Sequence, residues 1–315
     1  MQLHYGIENL HIDNPVVTIG SFDGVHKGHV QVIASLKRVA ERLQGETVII
    51  SFEPHPREVL YPLEKRPGIL TTLDEKVAIL ESLGVGHLII LPFTHALAEL
   101  TYSDFVRDLL VDKLGVKGLV IGYDHRFGKN REGTFDKLKV LAEQYHFYLE
   151  QEDVYEEHDI NISSTKIRNA LQIGDINRVN EFLGYAYSIS GMVVQGDHIG
   201  RQMGFPTANI KLKDERKLLP AVGVYAVEVF VAGKLYRGML NIGVRPTVSC
   251  SGEIRIEVHI FDFTGDLYGS NVRVALVSRI RGERKFDGKE ELAEQLQRDK
   301  QSALMVFRNG IVPLN

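Results

Sequence analysis

The chain has 315 residues, 44% of them hydrophobic and 25% charged, with a formal net charge of -4; that is enough chain for two domains of ordinary globular composition. Its isoelectric point near 6.3 leaves no basic excess for a nucleic-acid surface, and no apolar run approaches the ~20 residues of a membrane-spanning helix. The single cysteine, Cys250, excludes an internal disulfide and argues against a cysteine-based zinc site; with no signal-peptide pattern at the first residues, a cytoplasmic protein is expected.

In chain order, the first half alternates strands and helices. Val16–Ile19 reads as a strand. Val30–Leu43 follows, with Val32, Ile33, Leu36, Val39, Ala40 and Leu43 at helical spacing. Strand candidates at Thr47–Phe52, His87–Leu91, Gly118–Gly122 and Phe147–Gln151 then alternate with helix candidates at Leu73–Leu83, Tyr102–Leu114 and Phe135–Tyr145. Such alternation predicts βαβ units around a mainly parallel sheet, with ligands beyond the carboxyl ends of the strands. After the helical stretch Ile176–Leu183 the rhythm changes to period two. Tyr225–Val231, Glu253–Phe263 and Val272–Ile280 alternate or read as short strands, which predicts an antiparallel sheet closed into a barrel. Glu290–Arg308 reads as a terminal helix. The expected domains are 1–184 and 185–315.

Chemistry concentrates in the turns. Gly20-Ser-Phe-Asp-Gly-Val-His-Lys-Gly-His29 lies between a strand and a helix start. Glycines 20, 24 and 28 let backbone approach a ligand, and a helix N-terminus is a ready phosphate site. His26 and His29, three apart, share one helix face. A lone histidine is more often an ordinary core or surface residue, and a zinc site would need further ligands that nothing nearby supplies. In this turn the pair instead suits donation to triphosphate oxygens and stabilisation of a departing pyrophosphate. Ser163, Ser164 and Thr165 of Ile162-Ser-Ser-Thr-Lys-Ile-Arg168 read equally as helix caps or, with Arg168, as a second anion clamp. Gly122–Gly133 carries Asp124, Arg126 and Arg131, and the bland reading of such a run is an exposed turn. Phe52-Glu-Pro-His-Pro-Arg57 makes a rigid turn in which His55 alone says little.

In the second half, Gly200-Arg-Gln-Met-Gly-Phe-Pro-Thr-Ala-Asn209 reads in isolation as a glycine-rich hairpin. It also offers the oxygens of Thr207 and Asn209 to a hard cation. Asn241-Ile-Gly-Val-Arg-Pro-Thr247 reads as a turn. Glu257 is either an exposed strand glutamate or a base for an attacking alcohol.

Taken together and in order, Gly-x-Phe-Asp-Gly-x-His-x-Gly-His, Phe-x-Pro-His-Pro, Gly-x-Asp-x-Arg-Phe-Gly and Ile-Ser-Ser-Thr-x-Ile-Arg resemble the adenylyltransferase domain of prokaryotic bifunctional riboflavin kinase/FAD synthetases. His125 stands where that family more often has an aromatic residue. Gly-x-Pro-Thr-Ala-Asn, Asn-Ile-Gly-x-x-Pro-Thr, Glu257 before Asp262–Gly269, and Ile280–Phe286 resemble the riboflavin kinase module of the same family.

The resemblance implies a Rossmann-like nucleotidyltransferase domain and a six-stranded antiparallel barrel with a terminal helix. It implies riboflavin phosphorylation to FMN and adenylylation of FMN to FAD, both with ATP and Mg²⁺. His26, His29 and Arg168 would serve adenylyl transfer, and Glu257 would be the kinase base. Thr207 and Asn209 would coordinate Mg²⁺. Ligand contacts carry over to Gly20, Phe22, Asp23, Gly24, Gly28, His55, Asp124, Arg126, Ser163, Ser164 and Thr165, and in the kinase module to Gly200, Gly204, Pro206 and Asn241. The expected partners are small molecules, with no nucleic acid and no membrane; the sequence leaves the oligomeric state open. Two other readings stay open: a single live activity with the other domain a regulatory flavin or nucleotide binder, or a non-catalytic sensor.

Overall fold

The computed structural model describes residues 1–308 apart from 64–65, 124, 154–155, 158–159, 197–199, 201–202 and 246–252, and without the side chains of 156, 157, 160, 245 and 253. Asp124, one of the expected contacts, lies outside the described residues.

In the first half, β1 (Gln2–Tyr5), β2 (Val16–Ile19), β3 (Thr47–Glu53), β4 (His87–Pro92), β5 (Gly118–Ile121) and β6 (Tyr148–Gln151) form one sheet in the order β1-β4-β3-β2-β5-β6. All five pairings are parallel. Successive side chains serve opposite layers. Val17, Ile19, Val48 and Ile50 join one buried cluster, whereas Val16, Ile49, Leu88 and Val120 join the other. A sheet buried on both faces favours apolar residues on both sides of each strand, which explains the nearly continuous apolar runs in β2, β4 and β5. The strand order reverses between β2 and β5. Gly20–Gly28 follows the first of these strands and Gly122–Gly133 the second, so both turns flank the switch point where open α/β sheets take their ligands.

Helix α1 (Lys27–Arg42) buries Ile33, Leu36, Val39 and Ala40. The short α2 (Pro56–Leu60) has proline at its first position. Helix α3 (Leu73–Ser82) starts on a reciprocal capping box between Thr72 and Glu75, worth about 1 kcal/mol as a cap. The expected helix at Tyr102–Leu114 is divided. After α4 (His95–Ala98), a short α5 (Tyr102–Asp104) continues as a π-helix over Phe105–Val111. Helix α6 (Phe135–Tyr145) ends at His146 in the left-handed conformation. Two-residue strands β7 (Glu156–Glu157) and β8 (Ile160–Asn161) precede α7 (Ser164–Ile173) and α8 (Ile176–Leu183).

In the second half, β9 (Ser188–Val194), β10 (Ala208–Leu212), β11 (Gly223–Val231), β12 (Lys234–Arg245), β13 (Glu253–Ile260) and β14 (Asn271–Arg281) close a barrel in the order β10-β13-β12-β11-β14-β9. Every pairing is antiparallel. Val227, Val229 and Val231 are buried on one face of β11. Val224 and Ala226, on the other, cluster with Ala303 and Leu296 of the terminal helix α9 (Lys289–Arg308).

The contacts divide the chain into compact units at Met1–Ser164 and Thr165–Asn315. The change of rhythm in the sequence instead falls near 184. The difference is the pair α7 and α8, which is helical like the first half but bonded to the barrel. Asn180 Nδ2 donates to the Leu276 carbonyl at 2.9 Å and its Oδ1 accepts from the Tyr187 N–H at 2.8 Å. Arg279 donates to the Ile173 and Val222 carbonyls at 3.0 and 2.9 Å.

Candidate functional site

In the first unit, three residues of the turn after β2 have positive φ: Phe22 at 45°, Gly24 at 85° and Val25 at 32°. For a β-branched residue such as Val25 that conformation is strained and persists only where the surroundings over-determine it. They do so here. The Asp23 carboxylate accepts from the Leu70 N–H at 2.9 and 3.1 Å and from the Thr71 N–H at 3.0 Å. The Gly24 N–H donates to Thr71 Oγ1 at 3.1 Å. Asp23, expected as a ligand contact, is 1% exposed, and its carboxylate holds the turn to the segment before α3.

The turn delivers two histidines. His26 is the N-cap of α1, its Nδ1 accepting from the His29 N–H at 3.4 Å. The two rings stack with centroids 3.7 Å apart at 16°, and Phe22 packs obliquely on His29 at 4.9 Å. Burial, and then the neighbouring His26, Lys76 and His125, push the His29 imidazole well below its ordinary value. His29 Nδ1 is a buried atom with no hydrogen-bond partner among the described residues. An orphan ring nitrogen at a helix start is what an incoming oxyanion would satisfy. Ser164 Oγ donates to the Asp23 carbonyl at 2.9 Å, which ties this serine to the turn. Thr165 and Arg168 follow on α7 in the second unit, Thr165 exposed and Arg168 buried. His55 caps α2 through Nδ1 and the Arg57 N–H, 3.1 Å apart. Arg126 lines an open, polar cleft of about 710 Å³ with His125, Arg131 and Gln151.

The second unit holds a separate cavity of about 350 Å³, lined among others by Gly200, Thr207, Asn241 and Glu257, with Leu292 and Leu296 of α9. Strand register sets the neighbours of Glu257. Asn209 of β10 and Asn241 of β12 both pair with Glu257 of β13, one on each side. His259, two residues further along β13, donates from Nδ1 to the Pro206 carbonyl at 2.8 Å and so anchors the segment carrying Thr207. Burial lowers the pKa of His259. Gly200 accepts at its carbonyl from the Phe205 N–H at 2.9 Å, and a Cβ on it would meet the Phe205 carbonyl at 2.3 Å. A Cβ at Gly196 would lie 1.9 Å from Asn209 Nδ2. Gly204 needs its left-handed φ of 79°.

Several residues at these sites carry no motif of their own. Lys76 and Thr71 come from a helix and its approach, 47 or more positions from the turn they serve. Arg255 lines the barrel cavity; the alternation of β13 places it on the Glu257 face, and that was the available signal. Among the described residues no group of three or more His, Cys, Asp or Glu stands ready for a metal ion.

A parallel sheet with an anion-accepting turn at its switch point, joined in one chain to a barrel with a carboxylate among oxygen donors, marks an enzyme of phosphorus-group transfer. Comparison with known families is specific. Residues 9–166 match the FAD synthetase family and residues 183–307 the riboflavin kinase family. A bifunctional riboflavin kinase/FMN adenylyltransferase from Escherichia coli (strain K12) is 40% identical over 311 residues, covering 98% of each chain. One from Pseudomonas fluorescens is 39% identical over 305 residues, covering 96% of this chain and 97% of the relative. A crystal structure described as a macrolide-efflux protein from Streptococcus pneumoniae superposes with TM-score 0.87 at 31% identity, covering 96% of this chain and 98% of the other. No helix among the described residues here is long and apolar enough to cross a membrane. The chain belongs to the bifunctional riboflavin kinase/FMN adenylyltransferase family.

Proposed function

We propose that the two activities of this family, phosphorylation of riboflavin to FMN and adenylylation of FMN to FAD, are divided between the two sites described above. The observation that carries this division is that each family match falls on a unit with its own polar site.

In the barrel cavity, Glu257 takes the proton from the terminal ribityl hydroxyl as that oxygen attacks the γ-phosphorus of ATP; FMN and ADP leave. What supports the role is the position of Glu257 between Asn209 and Asn241 on the cavity wall. Thr207 and Asn209 offer oxygen donors of the hard kind that suits magnesium. They would hold the ion, which supplies charge neutralisation on the ATP phosphates. Gly200, Gly204 and Pro206 shape the segment over the phosphates, with His259 anchoring it.

At the turn after β2, the FMN phosphate attacks the α-phosphorus of a second ATP and pyrophosphate leaves. That nucleophile is already an anion, so the site's task is to hold and neutralise two anions rather than to remove a proton. His26, His29, the start of α1 and Ser164 form the triphosphate cradle; Thr165 and Arg168 keep the anion-binding role that the Ile162–Arg168 motif gives them. Arg126 and His55 contact the flavin side.

The test is to supply the purified protein with ATP, Mg²⁺ and either riboflavin or FMN, and to separate the flavins over time. FMN from riboflavin and FAD from FMN are both expected. FMN without FAD would reduce the first unit to a regulatory binder. No conversion of either would sink the reading in favour of a sensor.

A further inference from the structure

The sequence reading assigns Lys76 no role, yet it is the buried cation of the first unit's site. It lies in the first half of α3, 4% exposed. Its Nζ donates to the Ser21 carbonyl at 2.7 Å and to Ser51 Oγ at 3.2 Å, and Ser51 Oγ donates to the same Ser21 carbonyl at 3.2 Å. Ser21 opens the turn, immediately before Phe22 with its positive φ. The ammonium therefore grips the strained backbone at the point where the chain leaves β2, from the helix that the Asp23 staple also borders.

We propose that Lys76 is a positioning residue for adenylyl transfer: its buried ammonium fixes the Ser21 carbonyl and thereby holds the stacked His26–His29 pair in the geometry that receives the triphosphate. This rests on the assignment of that turn to adenylyl transfer.

Burying an ammonium is costly unless hydrogen bonds and local charge compensate. A purely structural staple between a helix and a turn is made more cheaply by a neutral donor. The charge has a second effect. The groups that face His29 are His26 at the cap of α1, Lys76 on α3 and His125 on the loop after β5, and each disfavours the imidazolium. Burial is the main cause of the lowered His29 value, and Lys76 adds to it; an ammonium at that place also attracts an entering polyanion.

The test uses the full chain with FMN, ATP and Mg²⁺, and riboflavin phosphorylation as an internal control of folding. Lys76→Met is expected to lower FAD formation from FMN by about tenfold or more, with riboflavin phosphorylation within about twofold of wild type. In the same variant the His29 ring, followed by NMR, should titrate higher than in the wild type. Lys76→Arg, which keeps the charge, should keep the low His29 titration and recover part of the rate. Adenylyl transfer within about twofold of wild type in Lys76→Met, or a His29 titration that does not move, overturns the proposal. Should Lys76→Met abolish the first unit's unfolding transition, Ser51→Ala replaces it. That change removes one acceptor of Nζ and keeps the lysine; a reduced kcat for FAD formation supports the proposal and an unchanged one overturns it. His29→Ala separates the two levels. If His29→Ala leaves FAD formation intact, the assignment of the turn itself is wrong. If it abolishes FAD formation while Lys76→Met does not lower it, only the role of Lys76 is lost.

Discussion

Arg281 at the end of β14 closes on both carboxylate oxygens of Asp299 in α9, with N–O distances of 2.8 to 3.1 Å. Asp299 is 1% exposed and also accepts from Gln295 Nε2 at 2.9 Å. Three residues before Asp299 lies Leu296, and Leu292 one turn earlier; both line the barrel cavity. The ion pair thus sets the height of one cavity wall.

Asp299→Ala should destabilise the barrel unit by about 3–5 kcal/mol, because it strands a partly buried guanidinium. It should also raise the KM for riboflavin more than it lowers kcat. Denaturant unfolding and steady-state kinase kinetics read both effects. An unaltered KM in a folded variant would mean that α9 keeps its place without the pair.

Glu257→Gln keeps the shape of the cavity and removes the base. Riboflavin phosphorylation should fall by about 10²–10⁴-fold, while FAD formation from supplied FMN stays near wild type. His29→Ala should reverse the pattern. Either variant abolishing both steps while still folded would contradict the division of labour.

Gly196 is the tightest position around the kinase donors. A methyl group there would lie 1.9 Å from Asn209 Nδ2, so Gly196→Ala must displace that amide or the chain. The expected result is a rise of about tenfold or more in the ATP·Mg²⁺ requirement of the kinase, the size of losing one hydrogen bond to a charged group. Titration of ATP at fixed riboflavin measures it.

The depressed pKa of His29 makes stability depend on pH with a definite sign. Above the ordinary value of 6.5 neither the folded nor the unfolded chain binds a proton there, and the group contributes nothing. As the pH falls below 6.5 the unfolded chain takes up a proton that the folded state refuses. Stability is then lost at up to about 1.4 kcal/mol per pH unit from this one group. Denaturant unfolding of the wild type and His29→Gln at pH 7.5 and 5.5 should show the larger acid loss in the wild type. Equal losses would show that the ring protonates freely in the fold.

Much of this was legible because the relevant signals are local. Val16–Ile19 before a glycine turn announces a strand end and a helix start, and that is where β2 and α1 meet. The alternation through Ile254–Phe261 separates an aliphatic face from one bearing Glu257 and His259, as β13 does. Other features depend on partners far along the chain. Strand β1, Gln-Leu-His-Tyr, is only four residues long with Leu3 and Tyr5 exposed, and forms at the sheet edge by pairing with β4. The π-helix at Phe105–Val111 has the same apolar spacing as an α-helix over so short a span. Lys76 reads as an ordinary polar position on an amphipathic helix. Only the folded turn, which brings the Ser21 carbonyl to it, reveals a buried cation. The acceptance of the Leu70 and Thr71 amides by Asp23 is likewise invisible until the chain has folded back.

The row Asn209–Glu257–Asn241 crosses three neighbouring strands, so its assembly is a matter of phase rather than of loop conformation. A slip of one residue in β10 would set Ala208 or Ile210 opposite Glu257 and turn the asparagine to the other side of the barrel wall. The connection between β9 and β10 shares this constraint at both ends, since Gly196 lies against Asn209 and the Pro206 carbonyl is tied to His259. Attempts at redesign therefore have almost no latitude in the strands that carry the row.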